Sequence, residues 1–197
     1  MATYPPLTSP ERALSVSAVD PLVIADASPL IGLARVGHLG LLPALFGSVT
    51  VTRAVADEVL NGGQFPETPV LEDAFAQPWL KVEEQIPTAG GADPSTSDAE
   101  VADLRSLYLI DEGEASSLCL ALQRCSQGQS VLLLIDDHRG REAARHLALP
   151  MLGTAGLLLL ARRQGLIEAV KPVVSGLREA GYHLSDRLVD AVLRQAG

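Results

Sequence analysis

The chain has 197 residues, 47% of them hydrophobic and 4% aromatic, and a formal net charge of −9. This length and composition suit one domain, or one domain with an extension, and exclude a chain too polar to fold. The Leu- and Ala-rich, aromatic-poor content favours helices packed on a small sheet over an all-β fold.

The charge is polarised. Residues 61–105 carry nine acids and two bases, whereas residues 138–197 carry nine bases and five acids. An acidic middle and a basic C-terminal part leave room for a basic surface beside a localised acidic site. Cys119 and Cys125 have neither a CxxC spacing nor a disulfide framework and read as two buried thiols of a reducing compartment. The N-terminus has no signal-peptide pattern, and the longest apolar run, "GLLLLA", is too short to span a bilayer. The expectation is a soluble cytoplasmic protein with no membrane contact.

In chain order, residues 1–20 read as an N-terminal extension, and residues 21–197 as a domain. "PLVIA" (21–25) fits a short buried strand. Ser28-Pro29 then reads as the cap and first residue of a helix that Gly37 ends. "LGLLPALFG" is a second short helix, "SVTVT" (48–52) a second strand, and "RAVADEVLNGG" a helix stopped by its glycines. Residues 61–98 look irregular, within an acidic insertion spanning about 61–105, and "TAGGADPSTSD" has loop composition. "DEGEASSLCLALQRCSQG" is a helix and "VLLLI" (131–135) a parallel strand covered on both faces. "HRGREAARHLAL" is a helix, "PMLG" a short edge strand, and "AGLLLLARRQGLI" and "LSDRLVDAVLRQAG" are further helices. Alternating strands and helices predict an α/β fold, a three-layer α/β/α sandwich with a central parallel sheet.

In such sheets, functional groups gather beyond the carboxyl ends of the strands. Asp26 ends the first strand; Asp136 and Asp137 end "VLLLI". On helical wheels, Glu58 and Glu114 fall on the apolar faces of their helices, while Asp57 and Glu112 point away. Each acid alone has a commonplace explanation as a cap, a turn residue or a salt-bridge partner. Together, Asp26, Glu58, Glu114 and Asp136 or Asp137 form a carboxylate cluster whose mutual repulsion a divalent cation would relieve. All-oxygen, carboxylate-rich sites suit Mg²⁺ or Mn²⁺, which support in-line phosphoryl displacement. The four histidines show no metal-ligand spacing, and there is no Walker loop, HExxH or GxGxxG.

The stretches "VIADASPLIGLARVG", "TVTRAVADEVL", "DEGEASSLCLAL", "LLLIDDHRGREAARHLALPMLGTAGLLLLARRQGLI" and "VKPVVSGLREAGYHLSDRLVDAVL" resemble the PIN-domain superfamily of metal-dependent ribonucleases, which includes VapC-type toxins. The resemblance covers most of residues 22–195 and is closest to a branch with "DEGE" and "DD-RGR" elements. It implies a PIN-like fold and hydrolysis of RNA phosphodiester bonds with Mg²⁺ or Mn²⁺. Its catalytic acids map onto Asp26, Glu58, Glu114 and Asp136, with metal held by Asp26, Glu114, Asp136 and Asp137. Ser28 takes the D-x-S position, and Thr154 matches a polar position at the site edge. Arg139, Arg141 and Arg145, with Arg162 and Arg163, are candidate phosphate ligands. The resemblance also implies RNA as substrate, an antitoxin protein as a partner, and a homodimer. The apolar face of the C-terminal helix, with Leu184, Leu188 and Val192, reads first as core and second as a candidate interface. The alternative is a catalytically inactive PIN-like module that binds protein or RNA. Phosphatase and receiver-domain patterns fit poorly, because Asp26 is followed by Ala27-Ser28 and the acid pair comes late.

Overall fold

The structure is a computed structural model describing residues 20–61, 63, 65–86 and 95–196. The first nineteen residues of the expected extension, and residues 87–94 of the expected loop, lie outside the described residues.

Five parallel strands form one sheet in the order β3-β2-β1-β4-β5. β1 (Leu22–Ala25) is central, flanked by β2 (Val49–Thr52) and β4 (Val131–Leu134). β3 (Leu80–Glu83) and β5 (Met151–Leu152) are the edges. The β1–β4 register sets Leu22 against Val131 and Ala25 against Leu134. Both strands therefore end level, at Asp26 and at Ile135-Asp136.

The period of two along each strand sorts side chains to opposite faces. Val23 and Ala25 of β1 join Val49 and Val51 of β2 in one core. Its helical cover is α1 (Ala27–Arg35), α2 (Leu41–Phe46), α3 (Arg53–Asn61), α4 (Thr68–Phe75), α8 (Thr154–Arg163), α9 (Val170–Glu179) and α10 (Asp186–Ala196). Ile24 of β1 and Leu133 of β4 enter a second core on the opposite face. There they meet α5 (Ser95–Tyr108), α6 (Glu112–Ser126) and α7 (His138–His146). The result is the three-layer α/β/α sandwich with a parallel sheet.

Several local expectations need correction. α1 begins at Ala27 with Asp26 as its N-cap, so Ser28 and Pro29 are the second and third helical residues. Proline is tolerated through the first turn, where amide hydrogens lack intrahelical partners, so Ser-Pro does not fix which residue caps. Gly37 does end α1: at φ +70° its amide donates to the Ala34 carbonyl and the His38 amide donates to Leu33. Residues 61–98 are not irregular throughout; they contain α4 and edge strand β3. "LKVE" is too short, and too charged on its outer face, for its alternation to stand out. Trp79, half-buried against the main core, anchors the start of this edge. Two further elements, α5 and α9, also differ from the expected element order. Cys119 is buried but Cys125 is exposed, against the expectation of two buried thiols. Of the C-terminal residues open to a core or an interface reading, Leu184 and Val192 are buried in the core, and Leu188 is exposed.

Ile24 is fully buried at the centre of the sheet. Ile24→Ala is expected to lower unfolding free energy by about 2–5 kcal/mol, read as a shifted denaturant midpoint with an unchanged slope.

Candidate functional site

Parallel strands deliver helix N-termini to their carboxyl edge. β1 leads into α1 through Asp26, β4 into α7 through Asp136-Asp137, and β5 into α8 through Gly153. Free amides and positive dipole ends therefore converge on one rim, where acidic groups are favoured.

Asp26 is 3% exposed. Its backbone amide extends the β1–β4 ladder by donating to the Leu134 carbonyl at 2.9 Å. Burial pushes its carboxyl up to about 7, with Asp111 and then Glu58 adding repulsion, while the amides of Ala27 and Ser28 pull back. Ser28 is half-buried beside it in the first turn of α1.

Glu114 enters from α6. Asp111 caps that helix, its carboxylate accepting from the Glu114 amide at 2.8 Å. Glu114 Oε2 accepts in return from the Asp111 amide at 3.2 Å, closing a capping box. The other carboxylate oxygen faces Gly140, whose hypothetical Cβ would lie 2.9 Å from it. Burial raises the Glu114 carboxyl to about 8, with Asp111, Asp137 and Asp26 reinforcing the shift.

Glu58 differs from expectation. It is exposed, standing at the rim and not in the core. Its Oε2 still crowds the site, 2.7 Å from where a Cβ on Gly113 would stand. Partial desolvation and then Asp111 hold its carboxyl above the usual range. Asp57, on the other side of α3, lies 3.8 Å from Arg53 in an ion pair.

The two strand-end aspartates have separate surroundings. Asp137 is exposed and caps α7, accepting from the Arg139 amide at 2.7 Å and the Gly140 amide at 3.2 Å. Burial works against those amides, but they and a hydrogen bond with Glu114 hold its carboxyl below the usual range. Asp136 is half-buried and turns toward α8. Its Oδ1 accepts from the Thr154 amide at 2.9 Å, and its Oδ2 accepts from Thr154 Oγ1 at 2.6 Å and from the Tyr182 hydroxyl at 2.5 Å. Thr154 itself is buried.

Glycines make these approaches possible. Added Cβ atoms would meet Glu58 at Gly113 and Glu114 at Gly140; at Gly153 one would lie 2.8 Å from both Asp136 Oδ1 and Arg141 Nη1. Asp26, Glu58, Asp111, Glu114 and Asp137 thus act on one another's charge, while Asp136 is engaged by Thr154 and Tyr182. Asp111 was legible as the first residue of an Asp-x-x-Glu capping box. Tyr182 carries no local signal, since it reaches Asp136 across 46 residues.

The candidate arginines spread out. Arg139 is exposed at the α7 N-terminus and donates to the Leu109 carbonyl at 3.0 Å. Arg141 donates to the Ile135 carbonyl at 3.0 Å, beside Asp136. Arg145 lies in the last turn of α7 and Arg162 and Arg163 in the last turn of α8, on the order of 10 Å from the helix starts. Arg145, Arg162 and Arg163 thus stand a helix length away from the rim that Arg139 and Arg141 border.

The donor set fits a hard divalent cation. It is all oxygen and mutually repulsive, with Asp26 and Glu114 buried, and among the described residues none of its carboxylates forms an ion pair with Lys or Arg. Among the described residues, no three of these side chains already stand together at coordinating positions. No described helix is long and apolar enough to cross a membrane. A family model described as a PIN domain matches residues 22–197. No curated protein matches the chain.

Raised carboxyl groups mean that the folded protein binds protons the unfolded chain has released. Stability contributed by the protonated forms is present at low pH and is lost as pH rises from about 4 through about 8. The melting temperature of metal-free protein is therefore expected to fall between pH 5 and pH 9, and Asp26→Asn to flatten that fall. A level wild-type profile would contradict the burial argument.

Proposed function

The chain belongs to the PIN-domain family, and from that nuclease-type fold we propose that it is a metal-dependent endoribonuclease. The observation that carries the proposal is Asp26: a buried carboxyl at the sheet's carboxyl edge, raised by burial and by neighbouring acids, among helix N-termini. Asp26, Glu114, Asp136 and Asp137 would hold Mg²⁺ or Mn²⁺. When bound, the ion supplies charge neutralisation at the scissile phosphate and lowers the pKa of water for its attack.

The chain's own groups divide the remaining work. Glu58, exposed at the rim and so reachable by water, would accept its proton. Glu114 keeps one oxygen for the capping box and leaves the other toward the site. Arg139 and Arg141, at the start of α7, provide charge for RNA phosphates. Arg145, farther along α7, extends that charge along the exposed helix face. Resemblance to VapC-type toxins extends the proposal to an antitoxin that covers the cleft, a homodimer and a cytoplasmic setting.

A second reading, a PIN-like module that binds RNA or protein without cleaving it, draws on the structural duties of the acids. Asp111, Glu114 and Asp137 all serve helix caps, and Asp136 accepts three hydrogen bonds.

Incubation with a mixed labelled RNA panel separates the two. Cleavage is expected with Mn²⁺ or Mg²⁺, and none with EDTA or in Asp26→Asn. RNA binding without cleavage under any metal favours the second reading. Arg139→Ala and Arg141→Ala are expected to weaken RNA affinity and reduce its salt slope by about 1 each; an unchanged slope removes that arginine from phosphate binding.

A further inference from the structure

Among the described residues, Tyr182 and Thr154 are the side chains that donate to the Asp136 carboxylate. Tyr182 follows α9 directly. Gly181, at φ +81°, turns the chain, with its amide donating to Arg178 and the Tyr182 amide donating to Leu177. That closure fixes the Tyr182 backbone.

The ring then passes over α1. A Cβ on Gly32 would lie 2.5 Å from Cε2 and 2.9 Å from Cδ2 of Tyr182. Glycine inside a helix is a destabilising choice, and here it opens the slot the ring occupies. At the end of that slot the hydroxyl donates to Asp136 Oδ2, which also accepts from Thr154 Oγ1. Two hydrogen bonds use the capacity of Oδ2. Oδ1 accepts only from the Thr154 amide among these donors, which leaves it acceptor capacity, and Gly153 leaves room beside it, where a Cβ would lie 2.8 Å away.

We propose that Tyr182 is a positioning residue for the metal site: with Thr154 it locks the Asp136 carboxylate so that Oδ1 is presented to the cation, and Gly32 is the glycine that admits its ring. The inference rests on the metal-site reading above. Partners that orient a ligating carboxylate affect metal affinity by about 10- to 100-fold. A tyrosine that only tied the C-terminal helices to the sheet would affect stability and leave metal affinity alone.

The test uses the full chain, with Mn²⁺ binding by calorimetry and the melting temperature of metal-free protein measured side by side. Tyr182→Phe keeps the ring and is expected to raise the Mn²⁺ dissociation constant about 10- to 100-fold, with little change in metal-free melting temperature. Gly32→Ala is expected to weaken Mn²⁺ binding in the wild-type background and to add nothing in a Tyr182→Ala background, where the slot is empty. Wild-type binding with unchanged affinity in Tyr182→Phe overturns the positioning role alone. Wild-type protein that binds no Mn²⁺ overturns the metal-site reading, and the positioning role with it.

Discussion

The burial of Asp26 is the constraint around which the site is arranged. A carboxyl that is 3% exposed at the end of the central strand has lost most of its hydration. The fold surrounds it with Glu58, Asp111 and Glu114, which push the proton affinities of the group upward. What offsets the arrangement is the parallel sheet, in which β1, β2, β4 and β5 each run directly into a helix N-terminus at the same rim.

Close packing among the acids then becomes a requirement. Gly113, Gly140 and Gly153 stand where a methyl group would collide with Glu58, Glu114 or Asp136. Gly32 admits the Tyr182 ring in the same way. Small residues bring carboxylates from α3, α6 and the β4–α7 turn within reach of one another, although their chain positions span Asp26 to Asp137. The capping duties of Asp111 and Asp137 are part of the same device. A side chain held by backbone amides has few alternative rotamers, so its free oxygen has a defined direction.

Much of this was legible along the chain. The β1, β2 and β4 strands showed as short apolar runs, and the 3.6-residue period placed Glu114 inward. Glu58 was read the same way but stands exposed, because α3 runs along the rim and its inner face is filled by Val55, Ala56 and Val59. The acidic stretch after α3 hid α4 and β3, since four-residue edge strands carry little periodic signal. Asp111 was readable from its spacing to Glu114 but was passed over for the more apolar-facing acid.

Sequence alone determined the α/β class, the strand-end position of Asp26 and of the Asp136-Asp137 pair, and the family resemblance. These depend on local patterns: apolar runs, helical periods and short motifs. Only the tertiary structure decided that Asp136 turns to Thr154 and Tyr182 while Asp137 caps α7 beside Glu114. It alone also showed which glycines were needed for contact and not for turns. Those outcomes depend on contacts between residues far apart in the chain, and pairings of that kind leave no trace in local composition or periodicity.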